Sequence, residues 1–216
     1  MSAVNQNGSG SNQALTVGMV LFDGAEELDW VGPFEVFTMA KEASGESGPA
    51  SGLRVVLVNA DGCVVQGAKG MRSEVDASFE TAPDFDILLI PGGIGTRREM
   101  ENPEMLEFLR KKAAECLWVT SVCTGSGVLH AAGLTKGKRI TTHWGYLPTL
   151  REDAGDEAEV LERVRYVRDG NLLTAAGVSA GIDMALWLVG EIYGVPLARI
   201  TQKVMEYDPA PPYAAE

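Results

Sequence analysis

Short, almost unbroken apolar runs constrain the fold of this chain more than any other feature of its sequence. Residues 15–22, 86–90 and 117–122 each form such a run. A strand that is covered on both faces has this pattern, because neither of its alternating rows of side chains meets water. Helix-spaced segments such as residues 27–41 and 103–115 lie between the runs. The alternation predicts an α/β fold, a three-layer sandwich with a mainly parallel central sheet.

The domain organisation is expected to be simple. The 216 residues are enough for one domain with a full hydrophobic core. Residues 1–14 are rich in Asn, Gln, Gly and Ser, so we expect a disordered tail there. Residues 15–216 show neither a linker nor an internal repeat, and we expect them to form a single domain. The N-terminal segment has no apolar stretch that predicts a signal peptide or a membrane span.

Charge and cysteine content limit the classes of function. The net charge of −12 disfavours nucleic acid and anionic lipid as partners, because both are negatively charged. Three cysteines without a CxxC pair predict neither a disulfide framework nor a zinc site. We therefore expect a cytoplasmic protein that has no nucleic-acid or membrane partner and binds no metal.

Cys123 is the strongest candidate for chemistry. It follows the apolar run 117–122 directly, and the small residues after it open a predicted helix. This order of strand, nucleophile and helix is that of a nucleophile elbow. Backbone N–H groups at the start of the helix would favour the thiolate, which is the reactive form of cysteine. The alternative is a buried structural thiol, because free cysteine is among the most buried residue types.

Gly92, Gly93 and Thr124 are candidates to surround the Cys123 sulfur. The two glycines follow the apolar run 86–90, and the carboxyl ends of parallel strands meet at one crevice. Their N–H groups would supply half of an oxyanion hole, which the N–H of Thr124 would complete. The Thr124 hydroxyl could also bind substrate or water. The alternatives are a plain glycine turn and a threonine that bonds its own backbone.

Asp29, His143 and Trp144 could reach the same crevice. A carboxyl among apolar residues at a strand-to-helix junction is a candidate acid/base, because burial raises its pKa; the alternative is a helix N-cap. His143 follows a short predicted strand, and Trp144 could line a pocket or belong to the core. Thr124 rather than a histidine follows Cys123. A cysteine–histidine dyad would therefore need a histidine from elsewhere in the chain. Without one, activation of the Cys123 thiol would depend on the helix dipole and on a carboxyl partner.

Three segments together resemble the ThiJ/PfpI superfamily, also described as class I glutamine amidotransferase-like. They are residues 90–93 (IPGG), 121–126 (SVCTGS) and 132–139 (AGLTKGKR). The resemblance runs from about residue 16 to residue 213 and implies a flavodoxin-like fold with Cys123 on a nucleophile elbow. Within the superfamily, the chain is most similar to the isonitrile hydratase (cyclohexyl-isocyanide hydratase) branch. Five further segments carry that similarity, namely residues 28–33, 141–144, 167–174, 180–183 and 207–212.

The branch implies a specific reaction and specific roles. Cys123 would attack an isonitrile, Asp29 would act as acid and base, and Thr124 would support them with its hydroxyl. The product would be an N-substituted formamide, formed through a thioimidate on Cys123. The resemblance further implies a small-molecule substrate, no organic cofactor and a homodimer. Peptidase-like relatives carry histidine directly after the cysteine, and Thr124 departs from that pattern.

Other members of the superfamily supply the alternatives. The chain could be a non-catalytic or stress-related sensor, or another thiol enzyme that acts on 2-oxoaldehydes or amides. Glyoxalase-type branches place a glutamate at the end of the first strand, where this chain has Asp23 and Gly24. Regulators of the AraC type add a helix-turn-helix module. The chain stops at Glu216 without such a module, so we expect an enzyme rather than a regulator.

Overall fold

The computed structural model describes residues 14–209. The predicted disordered tail, except for its last residue, lies outside the described residues. The strands are β1 (Thr16–Val20), β2 (Arg54–Asn59), β3 (Val65–Gln66), β4 (Arg72–Ser73), β5 (Ala77–Ser78), β6 (Ile87–Ile90), β7 (Trp118–Ser121), β8 (Lys138–Ile140), β9 (Ala158–Val160), β10 (Tyr166–Asp169) and β11 (Leu172–Ala175). The helices are α1 (Glu27–Ser44), α2 (Thr96–Glu99), α3 (Pro103–Ala113), α4 (Gly125–Ala131), α5 (Leu147–Ala154), α6 (Ala180–Tyr193) and α7 (Val195–Val204).

Seven strands form the central sheet in the order β10-β11-β7-β6-β1-β2-β5. Every neighbouring pair is parallel except β10 and β11, which form an antiparallel hairpin at one edge. The prediction of a mainly parallel sheet is therefore confirmed. Because β11, β7, β6 and β1 are consecutive neighbours, the loops that leave their carboxyl ends meet on one side of the sheet.

The apolar runs of the sequence form the centre of this sheet. All four residues of β6 are buried, and so are all five residues of β1. Helices α1, α6 and α7 pack against one another, while α3 packs on α4, which in turn contacts β6 and β7. Complete burial of a single leucine or isoleucine side chain contributes roughly 1.5–3 kcal/mol, so these strands anchor the fold. Among residues 14–209, no helix is long and apolar enough to cross a bilayer.

Candidate active site

Cys123 lies in a tight turn between β7 and α4, as the sequence predicts. Its φ of 56° is in the left-handed region, which residues other than glycine seldom adopt. The surrounding backbone holds it there. The Cys123 N–H donates to the Ala176 carbonyl at 2.8 Å, and its carbonyl accepts a hydrogen bond from Thr142 Oγ1 at 2.8 Å. Strain of this kind persists only where neighbouring structure enforces it.

Asp29 is completely buried in the first turn of α1. The N-cap of that helix is Glu26, so the alternative reading of Asp29 as an N-cap is wrong. Asp29 Oδ2 accepts a hydrogen bond from the Gly92 N–H at 2.8 Å. Its Oδ1 is also buried and accepts no hydrogen bond from residues 14–209. The Cys123 thiol lies close enough for each group to shift the pKa of the other, without a well-formed hydrogen bond between them.

Burial raises the pKa of the Asp29 carboxyl to about 7. The negative charge of Glu26 raises it further, while the Gly92 N–H and the Cys123 thiol act in the opposite direction. A carboxyl with this pKa is populated in both protonation states near neutral pH. That property suits a group that must both accept and return a proton.

Burial also raises the pKa of the Cys123 thiol, to about 12, and the nearby Asp29 carboxylate adds to the effect. The N–H groups of Thr124 and Val178 favour the thiolate, as the sequence predicts for the start of a helix, but their effect is smaller. The expectation of a resting thiolate is therefore wrong, because desolvation outweighs the amide dipoles. A reaction at this sulfur would require removal of its proton, and the Asp29 carboxyl is close enough to shift the pKa of the thiol.

Gly92 and Gly93 occupy a different role from the predicted one. The Gly92 N–H donates to Asp29, and the Gly93 N–H donates to Thr124 Oγ1 at 3.0 Å. Neither N–H is free, so these glycines hold the carboxyl and the hydroxyl instead of presenting donors to an oxyanion. A Cβ on Gly92 would lie 2.5 Å from the Thr124 nitrogen and 2.7 Å from the Cys123 Cβ. Only glycine allows the two turns to approach this closely.

Thr124 belongs to a hydroxyl network that the sequence did not reveal. Thr96, which is completely buried, donates through Oγ1 to the Gly93 carbonyl at 2.8 Å. Arg97 Nη1 donates to the same carbonyl at 3.1 Å. The Thr96 N–H also donates to that oxygen, at 3.3 Å. The Thr124 hydroxyl lies 3.1 Å from Thr96 Oγ1 and donates to the Gly93 carbonyl at 3.2 Å. It also lies close enough to the Cys123 sulfur to favour the thiolate, so the carbonyl and the sulfur compete for its proton.

His143 and Trp144 line a groove beside Cys123, with a volume of about 420 Å³. The His143 Nδ1 accepts a hydrogen bond from the Gly145 N–H at 3.2 Å, so the neutral ring carries its proton on Nε2. The Trp144 side chain is 78% exposed, so it belongs to the rim and not to the core. Within residues 14–209, neither histidine hydrogen-bonds to the Cys123 thiol. The structure thus brings a carboxyl, not an imidazole, to the sulfur.

Val178 is a second contact of the sulfur that the sequence did not indicate. Its φ is 48°, a strained conformation for a β-branched residue, and its N–H is directed at the Cys123 sulfur. It lies in the loop between β11 and α6, at the same sheet edge as the turn at Cys123. Glycine or asparagine would have marked a left-handed position in the sequence, whereas valine gives no such signal.

The fold and this site define the class of protein. Residues 15–191 match the model of the DJ-1/PfpI family, and the chain belongs to that family. The resemblance seen in the sequence is confirmed. A crystal structure of a ThiJ/PfpI family protein from Pseudomonas syringae superposes with a TM-score of 0.84 at 31% identity, covering 99% of this chain and 84% of that one.

Two curated relatives differ in what their names describe. The isonitrile hydratase of Pseudomonas putida is 41% identical over 203 residues, which cover 93% of this chain and 82% of that enzyme. The HTH-type transcriptional regulator GbdR of Pseudomonas aeruginosa is 28% identical, and the match covers 89% of this chain but only 51% of the regulator. The family thus contains both an enzyme and regulators similar to this chain.

Proposed function

We propose that this protein is an isonitrile hydratase, which adds water to an isonitrile to give an N-substituted formamide. The observation that carries the proposal is the buried Asp29 carboxyl, with a pKa of about 7, beside the Cys123 thiol. Similarity to the hydratase of Pseudomonas putida supports it. A cytoplasmic location and a homodimer remain part of the proposal.

The first half of the reaction joins the thiol to the isonitrile. Asp29, as the carboxylate, accepts the proton of Cys123 while the sulfur attacks the terminal carbon of R–N≡C. Asp29 then gives that proton to the same carbon. A C–S bond and a C–H bond have formed and nothing has left, so the intermediate is the thioimidate R–N=CH–S on Cys123. The single proton held by the pair is sufficient for this half.

The second half adds water and releases the product. The Asp29 carboxylate takes a proton from water, positioned by the Thr124 hydroxyl, as the water oxygen attacks the thioimidate carbon. The imine nitrogen takes up that proton. The C–S bond then breaks as the new hydroxyl loses its proton, and Cys123 regains its thiol proton with Asp29 as the relay. The released molecule is R–NH–CHO.

The test is formamide formation from cyclohexyl isocyanide by the purified full chain. Cys123→Ala should abolish turnover, and Asp29→Asn should lower kcat by a factor of about 100 or more, the usual size of a lost acid/base group. Cys63→Ala is the matched control, because Cys63 is exposed and lies outside the site. An inert wild type, or full activity of Cys123→Ala, would refute the proposal.

The substrate that the protein consumes distinguishes an enzyme acting on 2-oxoaldehydes from an isonitrile hydratase. Methylglyoxal consumption should be negligible compared with isonitrile consumption if Cys123 and Asp29 act as proposed. A non-catalytic sensor would consume neither compound. The same purified wild type therefore distinguishes all three functions.

A further inference from the structure

The groove lies beside the turn at Cys123, although Cys123 is not itself one of the residues that line it. Three of its lining residues, Thr142, Ala176 and Val178, contact Cys123 through its carbonyl, its N–H and its sulfur. A molecule bound in the groove would therefore lie directly against the turn at Cys123. A volume of about 420 Å³ suits a small organic molecule.

The walls of this groove combine apolar surface with positive charge. Trp144 and Leu147 supply the apolar part, while Arg163, Arg165 and the His143 ring supply N–H donors. The two arginines differ in their partners. Arg165 is bound to Asp183, with its Nε 2.6 Å from Asp183 Oδ2. The Arg163 guanidinium, by contrast, has no hydrogen bond or ion pair to any residue between 14 and 209.

Arg163 is also held in a strained backbone conformation. Its φ is 59°, in the left-handed region. This conformation costs free energy for an arginine and does not help the chain to fold. Asparagine is tolerated far better at such a φ. Arg163 is exposed, so its guanidinium is hydrated and free to bind an anion. In a protein of net charge −12, its place on a strained residue that lines the groove beside Cys123 is the observation that favours a role in ligand binding.

We propose that Arg163 recognises a carboxylate on the R group of the isonitrile, so that the preferred substrates are carboxylate-bearing isonitriles. The inference rests on the proposed hydratase function. A planar guanidinium binds a carboxylate through two parallel hydrogen bonds, which neither lysine nor histidine reproduces. The Trp144 and Leu147 side chains would contact the carbon skeleton between the two functional groups.

A short hydrogen-bonded path connects the backbones of Arg163 and Cys123. The Arg165 carbonyl accepts the Ala176 N–H at 2.9 Å, and the Ala176 carbonyl accepts the Cys123 N–H at 2.8 Å. Arg163 is two residues from Arg165, so at most about 7 Å of chain separates them. We therefore choose a short, rigid linker, one benzene ring between the isonitrile and the carboxylate, as the probe.

The experiment compares 4-isocyanobenzoate with its methyl ester, which has the same ring and isonitrile but no negative charge. We expect the wild type to have a kcat/KM about tenfold or more higher for the carboxylate, and the preference to fall as salt increases. Arg163→Asn should abolish the preference while leaving the protein as stable as wild type or more so, because asparagine suits the φ. Arg163→Lys should retain only part of the preference.

Lys111→Gln is the control, since it removes one positive charge from the exposed surface of α3, away from the groove. It should leave the preference unchanged. Wild type that is active on the ester without preferring the carboxylate would overturn the inference alone. So would a preference that survives Arg163→Asn. Wild type that is inert toward both compounds would overturn the proposed function and the inference with it.

Discussion

Burial makes the ionised form of Asp29 unfavourable in the folded protein, so the charge lowers the free energy of unfolding. Its pKa rises from 3.8 to about 7 on burial. Between pH 4 and pH 7, the unfolded chain therefore releases a proton that the folded chain retains, and stability falls as the pH increases. Above pH 7, the penalty reaches its full size, up to about 4 kcal/mol for a shift of roughly three units.

Asp29→Asn should therefore stabilise the protein at pH 8 and have little effect at pH 4. Asparagine keeps an oxygen for the Gly92 N–H but carries no charge. The measurement is the free energy of unfolding in urea at both pH values. Asp156→Asn, at an exposed position, is the control and should show no such dependence. Equal stabilisation at both pH values would show that burial of the charge is not its cause.

Thr96 should influence catalysis through Thr124. Thr96→Val removes one donor that competes with Thr124 for the Gly93 carbonyl, so the Thr124 hydroxyl, at 3.2 Å from that carbonyl, would donate to it more fully and less to the Cys123 sulfur. We expect kcat to fall about tenfold with KM little changed, and Thr96→Ser to restore it. In a Thr124→Val background, the Thr96→Val change should have almost no further effect. Additive losses in the double variant would mean that Thr96 acts on folding instead.

At the level of elements, the loop after β6 and the turn after β7 can meet only because Gly92 has no side chain. Gly92→Ala would force a Cβ to within 2.5 Å of the Thr124 nitrogen. We expect a loss of about 1–3 kcal/mol in the free energy of unfolding, together with a loss of activity as Asp29 and Cys123 separate. Thermal unfolding and the formamide assay would measure the two effects.

Gly190→Ala provides the comparison for Gly92→Ala. Gly190 lies within α6, and a Cβ there would have its nearest neighbour at 3.6 Å, an ordinary contact. Alanine favours a helix over glycine by about 0.5–1 kcal/mol, so this variant should be slightly more stable and fully active. If both glycine variants behaved alike, close approach at Gly92 would not be limiting.

On the scale of the whole molecule, one hydrophobic core extends from Leu15 to Leu197 along the chain. Together with the seven-stranded sheet, this continuity favours the proposal of a single domain. We expect one cooperative unfolding transition, with circular dichroism and tryptophan fluorescence changing at the same urea concentration. Two separate transitions would indicate two independently folding units.

The architecture was accessible from the sequence, and so was the expectation that Asp29, Gly92 and Cys123 lie at one edge of the sheet, but the contact of Asp29 with Cys123 was not. Apolar runs define buried parallel strands, and such strands place the residues that follow them at one edge. The protonation state of the thiol was not accessible, because burial depth depends on packing from distant segments. Thr96 and Val178 act through a hydroxyl and a backbone N–H, and neither leaves a distinctive pattern of residue types. The occupied N–H groups of Gly92 and Gly93 likewise depend on which side chains arrive beside them.

The turn at Cys123 is assembled from segments that are far apart in the chain. Gly92, Thr142 and Ala176 each contribute to it, directly or through Asp29. The unfolded chain lacks these contacts, so folding buries the thiol and raises its pKa, and the sulfur then reacts only where Asp29 can take its proton. Alkylation of Cys123 should consequently be slow in the native protein and fast in the unfolded chain. The rate of alkylation therefore measures how often the native protein opens around this thiol.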